Sequence, residues 1–282
     1  MERIRNAALR CALTATAALV LAGFTSSAAG AMGTVIYSNL PETKPGNVVS
    51  QAFEATQLGQ FGGQIEFAKA AGSKPQVTVA LSSWGCQEGS GTSCKTEKGA
   101  KFEWPITLHI YNVGALNALG SEITSVTQTF MIPYRPSASP KCTGAKAGKW
   151  FYKGTCFSGK YATIKFKLKG VSLPSKVIVS VSYNTSDYGA EPQRPKACNS
   201  TTAGCPYDSL NVGLTEPLNA EEPAPVAPSV GSDPAPEVAY QDSTTAANYC
   251  DAGIGGTGVF RLDSGVPPCW TGYQPLLQVS SN

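Results

Sequence analysis

A single histidine, His109, bounds the acid–base chemistry open to this chain of 282 residues. Tyr111 stands two positions on, so in a strand both side chains share one face. Polysaccharide lyases built on jelly rolls use such a His/Tyr pair as acid and base. They pair a QxH strand with a Tyr/Lys strand, whereas here Thr107 and Leu108 precede His109 and no YxKxGxYxQ strand occurs. A Ser-His-Asp triad would also have to use His109, yet no GxSxG elbow is present. Carboxylates for glycoside hydrolysis can be drawn from Glu54, Glu66, Glu103, Asp187 and Asp208, but sequence spacing does not set two of them face to face. The plainer reading leaves His109 and Tyr111 as polar residues on an outer strand face, and no residue is assigned to catalysis.

Asp208, Asp233 and Asp251 fall in turn-like segments and carry the ligand type that calcium prefers. No EF-hand or repeat-type calcium motif surrounds them, and turn aspartates more often cap their own backbone. The sequence calls for no metal and no cofactor.

Charge distribution is more telling. Residues 141–176 hold nine lysines and no Asp or Glu, while residues 216–251 hold seven acidic residues and no Lys or Arg. Lys149, Trp150 and Lys153 lie in a lysine-rich hairpin with Phe151 and Tyr152, and Trp150 is the expected exposed platform for a sugar ring. Lys165, Lys167 and Lys169 alternate along one strand face beyond it. Together these residues suit an acidic polymer such as a wall teichoic acid or a uronate glycan, through salt-sensitive attraction. The plainer reading is a solvated strand face with the acidic arm lying over it as counter-charge. A formal net charge of +3 makes no case for nucleic acid.

The elements that position these residues are strands. Val77, Val79 and Leu81 alternate with polar or small residues, as do Ile106, Leu108 and Ile110, the period of a half-buried sheet rather than a helix. Residues 121–134 are β-prone with imperfect alternation, which predicts burial on both sides or a bulge near Gln128, ended by Pro133 and Pro136. Further strands are expected at residues 34–40, 51–57, 64–68, 160–168, 176–183 and 207–214, with a glycine corner at Gly62-Gly63. Charged residues make up only 15 %, and 29 glycines and 20 prolines punctuate the chain, as in turn-rich all-β proteins. The expected fold is all-β, a two-sheet sandwich of jelly-roll or Greek-key type.

Residues 1–31 read as a secretory signal, with Arg3, Arg5 and Arg10, an apolar run from Cys11 to Phe24, and Ala29-Gly30-Ala31 as the cleavage site. No later run is long and apolar enough for a membrane anchor. Removing Cys11 leaves eight cysteines, an even set that an exported chain oxidises, although roughly a hundred pairings are open. Spacing suggests neighbours: Cys86 with Cys94, Cys142 with Cys156, Cys198 with Cys205, and Cys250 with Cys269. Residues 216–237 are rich in Pro and Ala and are expected to be an extended excursion from a single domain, 32–282. The segment after it is too short for its own core and is expected to return to the sandwich through residues 258–262 and 274–279.

A set of motifs extends over nearly the whole mature chain: Tyr37 to Pro41, Phe53 to Gln57 with Phe61-Gly62, Val77 to Cys86, Trp104 to Gly114, Thr127 to Ala138, Ser182 to Gly189, Tyr207 to Leu214, and Thr245 to Trp270. In these the chain resembles a family of exported bacterial proteins. The resemblance implies an extracellular bacterial β-sandwich and brings no activity with it. The expected role is therefore non-catalytic, binding a glycan or acidic polymer at the cell surface. The alternatives are a carbohydrate-active lyase or hydrolase, and a structural or adhesion component.

Overall fold

Alternating side chains and frequent turns make strands of nearly every apolar run. In chain order they are β1 (Thr34–Ser38), β2 (Ser50–Ala52), β3 (Gln60–Glu66), β4 (Gln76–Ser83), β5 (Lys101–Val113), β6 (Leu119–Pro133) and β7 (Trp150–Tyr152). They continue as β8 (Thr155–Phe157), β9 (Lys160–Lys167), β10 (Lys176–Ser182), β11 (Leu210–Gly213), β12 (Ala239–Gln241), β13 (Arg261–Asp263) and β14 (Leu277–Ser281). The structure is a computed structural model that describes residues 33–193, 198, 204–215, 227–265 and 269–281. The expected signal at 1–31 and the first part of the Pro/Ala-rich stretch, 216–226, lie outside the described residues.

Two antiparallel sheets form an all-β sandwich, with β7 and β8 as a separate hairpin. The first sheet is built on β4. Strand β9 covers one edge of β4 along its length, while β14 and β11 share the other edge and are followed outward by β1 and β2. The second sheet runs β13-β12-β3-β10-β5-β6. Val77, Val79 and Leu81 face Ile106, Leu108, Ile110 and the valines of β10 in one continuous apolar cluster. Each such side chain contributes roughly 1.5–3 kcal/mol through removal from water. On the open side the edge strands β6 and β9 meet through Phe130, edge-on to Phe166 at 4.9 Å.

Several sequence expectations are corrected. Gly62-Gly63 is no corner; both residues lie inside β3, opposite Ser180 and Val179. A Cβ at Gly62 would stand 2.5 Å from Ser180 Cβ, and one at Gly63 would stand 2.5 Å from Gln274 Oε1. These glycines permit close approach rather than a turn. Strand β2 stops at Ala52, and Phe53 turns inward to stack on Tyr183 at 4.1 Å. Tyr207 belongs to a 3-10 turn that precedes β11. Strand β6 is an edge strand with one face largely exposed, and its register shifts lie opposite Ile110, Tyr111 and Val113 rather than at Gln128.

The chain's end rejoins the first sheet: β14 is inserted between β1 and β4, clasped by Asn39, whose side chain bonds Pro275 O and Leu277 N at 2.9 and 2.7 Å. All four neighbour disulfides form. Among the described residues no helix is long and apolar enough to cross a membrane.

The described part of the acidic arm runs across the sandwich edge, bridging β1 at Ser38 through Val230 and β3 at Glu66 through Ser232. Burial pushes the Asp233 carboxyl up from 3.8 to about 6. Its folded value is raised, so its contribution to stability is full below 3.8 and is lost as pH rises through about 6. Asp233→Asn should therefore raise the melting temperature at pH 7.5, by the equivalent of about 1–2 kcal/mol, and leave it unchanged at pH 3.5. Thermal melts at the two pH values check this; an equal shift at both would contradict it.

Candidate functional site

The lysine-rich hairpin turns tightly because Lys153 and Gly154 both take positive φ, 45° and 90°. The Cys142–Cys156 disulfide ties its second strand to the preceding loop. Each aromatic of β7 carries a lysine: Lys141 Nζ lies 4.9 Å from the Phe151 ring, Lys153 Nζ 5.2 Å from Tyr152, and Lys160 Nζ 5.1 Å from Trp150. Such cation–π pairs fix the ammonium groups while leaving their other side open. The Lys160 ammonium is pushed below the usual lysine range, first by burial and then by the nearby Lys44 charge.

Trp150 is not the exposed platform that its type suggested. It is 6 % exposed, donates Nε1–H to Gly159 O at 2.6 Å, and serves as the floor of the hairpin. Phe151 and Tyr152 are half-buried and take the outer role. Two grooves flank the hairpin. One, of about 590 Å³, lies toward Tyr134 and Ala138 and includes Phe151, Lys98, Lys160 and Glu97. The other, of about 400 Å³, lies toward the loop at Pro41 and Pro45 and includes Tyr152, Lys44, Lys153 and Glu42. Each groove thus holds two lysines against one glutamate, a net of one positive charge. Lys44 and Lys98 are distant in sequence, and only tertiary packing brings them to the hairpin.

Beyond it, Lys165 and Lys167 are exposed on the outer face of β9, in register with Thr78 and Gln76, and Lys169 follows, also exposed. Alternate residues on a strand repeat every 6–7 Å or so, a spacing suited to a linear polymer. Among the described residues no carboxylate pairs with these three lysines. The described part of the acidic arm is engaged with Ser38 and Glu66, not laid over them as counter-charge. Lys149 is half-buried, with its backbone N–H bonded to Lys146 O.

The other candidates occupy the outer face of the second sheet and its surroundings. The His109 and Tyr111 rings lie 6.0 Å apart, and Tyr111 OH accepts from Gln60 Nε2 at 3.0 Å. Burial raises the Tyr111 phenol above its usual value, the reverse of what a tyrosine base requires. His109 instead bonds Ser182 Oγ through Nε2 at 2.8 Å and Glu122 Oε1 through Nδ1 at 3.1 Å. Ser182 and His109 open into a cleft of about 540 Å³. Neither Ser182 nor Glu122 was legible as a partner of His109, because they lie 73 and 13 residues away.

The turn carboxylates mostly cap backbone. Asp208 accepts from Ser186 N and Oγ at 2.7 and 2.5 Å, and Asp251 accepts from Gly253 N and Gly255 N and pairs with Arg261 at 3.0 Å. Glu54 and Asp208 come close enough to repel, and burial raises both carboxyls. Trp84, 39 % exposed, donates to Ser82 Oγ at 2.7 Å. Trp270 packs on Phe61 and donates to Asp263 at 2.7 Å. No family model, curated protein or solved structure matches this chain.

Proposed function

We propose that this protein acts outside the bacterial cell, binding an acidic glycan or other anionic surface polymer at the lysine–aromatic hairpin. No bond is made or broken at that surface. The observation that carries the reading is the set of three lysines seated over three aromatics of one disulfide-closed hairpin between two cationic grooves. Aromatic faces stack on sugar rings, and the ammonium groups meet carboxylate or phosphate along the chain. The open row at Lys165, Lys167 and Lys169 extends the contact along β9. Four disulfides suit an oxidising compartment, in keeping with the signal-like leader.

Co-sedimentation of the oxidised protein with polygalacturonate and with teichoic acid, at low and high salt, tests this. Retention is expected at low salt and lost at high salt, because contacts between exposed charges are screened within about 10 Å at 0.1 M. The double change Lys44→Ala with Lys153→Ala should weaken binding about tenfold, and the triple change of Lys165, Lys167 and Lys169 to Ala about fortyfold, at roughly 0.5–1 kcal/mol per exposed contact. Failure to bind either polymer at low salt, or binding indifferent to both sets of changes, would refute the proposal.

A further inference from the structure

We infer that Ser182, His109 and Glu122 form a hydrolytic triad that cleaves a neutral O-acyl ester in the cleft on the outer face of the second sheet. The inference stands on this cleft alone and is independent of polymer binding at the hairpin. Triads are identified by geometry and roles, not by chain order or a local motif. Here the two bonds run in series, Ser182 Oγ to His109 Nε2 at 2.8 Å and His109 Nδ1 to Glu122 Oε1 at 3.1 Å. The Glu122 carboxylate can only accept, so Nδ1 carries the proton and the Nε2 lone pair is left for the Ser182 hydroxyl. Ser182 and His109 line the cleft, whereas Glu122 does not and stands behind the imidazole. That is the order a nucleophile, its base and an orienting acid require.

Three neighbouring strands build the set. Ser182 is the last residue of β10, at the point where the chain leaves the sheet, and His109 and Glu122 come from β5 and β6. Two residues on from Ser182, Asn184 also lines the cleft; its Oδ1 accepts from Glu191 N at 2.9 Å. Its Nδ2 makes no other bond among the described residues and is the donor assigned to the oxyanion.

The lining defines the substrate class. Asp242 and Glu191 contribute negative charge and, among the described residues, no Lys or Arg opens into the cleft, which disfavours an anionic ester. Asp242 Oδ1 is held by Gly59 N and Gln60 N, both at 2.8 Å, and Oδ2 remains to accept from a hydroxyl. Gln60, Thr107 and Asn184 add polar partners. About 540 Å³ is room for one acylated sugar or a similar polyol ester.

In the first step Ser182 Oγ bonds to the ester carbonyl carbon while its proton passes to His109 Nε2. The carbon–alkoxy bond then breaks, and the alcohol leaves with that proton. Water attacks the acyl-serine next, giving its proton to Nε2, and the carboxylic acid departs as Ser182 regains a hydrogen. Water is the only co-reactant. Ser182 and His109 are catalytic residues, and Glu122 is a positioning residue.

The oxidised protein would be treated with a fluorophosphonate, the adduct mapped by mass spectrometry, and p-nitrophenyl acetate hydrolysis followed in parallel. The expected result is one phosphonyl group per chain, on Ser182, and hydrolysis above buffer. Ser182→Ala should remove both while polymer binding and the thermal melt stay unchanged. His109→Gln should slow labelling about 100-fold or more. Glu122→Gln should lower kcat by roughly 10⁴-fold with KM unchanged, a split that loosened packing would not produce. No adduct and no hydrolysis in the parent protein would overturn the inference, as would an adduct mapped to another residue; the mapping stands even if a variant folds poorly.

Discussion

Gly62→Val will leave the oxidised protein largely unfolded or insoluble, the largest effect expected from any single change in β3. Gly62 pairs with Ser180 of β10 on one side and Tyr240 of β12 on the other, so neither neighbour can retreat without breaking a ladder. A Cβ there would lie 2.6 Å from Val179 O and 2.9 Å from Ser180 Cα, both backbone atoms. Overpacking of a core commonly costs 1–3 kcal/mol or so, and here lost sheet pairing adds to it, giving about 4–6 kcal/mol. That approaches the whole stability of an ordinary domain, about 5–15 kcal/mol. Gly99→Ala is the control: at φ +85° with open space around it, only backbone strain of about 1 kcal/mol applies. Denaturant unfolding of both variants measures the difference, and similar midpoints would contradict the steric account.

Asp263→Ala should destabilise the protein by about 3–5 kcal/mol. This carboxylate is fully buried in β13 and, among the described residues, pairs with no cation. Its oxygens are satisfied by three donors: Gln241 Nε2 at 2.5 Å, Trp270 Nε1 at 2.7 Å and Cys250 N at 2.9 Å. It therefore joins β12, one half of the Cys250–Cys269 disulfide and the indole that packs on Phe61. Alanine removes the acceptor of three donors at once: the part-buried Trp270 Nε1 and Cys250 N, and the buried Gln241 Nε2, which keeps only its bond to Asn248 O. An unpaired buried donor costs roughly 1–3 kcal/mol. Asp263→Asn keeps one acceptor oxygen but turns an amide toward a donor, so a cost of about 2 kcal/mol is expected. Equilibrium unfolding in urea reads both, and an alanine variant within about 0.5 kcal/mol of the parent would show that the donors find other partners.

By itself the sequence determined the strands and the cross-links. Alternation in residues 76–83, 101–113, 160–167 and 176–182 is a local property that survives any choice of strand order, because one face of each must be buried. The disulfides were legible for a related reason: separations of 7 to 19 residues keep the partners together whatever the topology. The lysine excess in residues 141–176 was equally visible, since charge composition needs no fold. Tertiary structure decided the rest. Whether Gly62-Gly63 is a corner or a strand depends on Ser180 and Pro275, more than a hundred residues away. Burial of Trp150 depends on Gly159 O and on the loop at Gly46, which meets Phe157 beneath the hairpin. Above all, the surroundings of His109 depend on which strands flank β5. Placing β10 on one side and β6 on the other sets Ser182 and Glu122 at its two ring nitrogens. Strand order follows from how whole faces pack, and that sum over distant side chains leaves no local mark at His109.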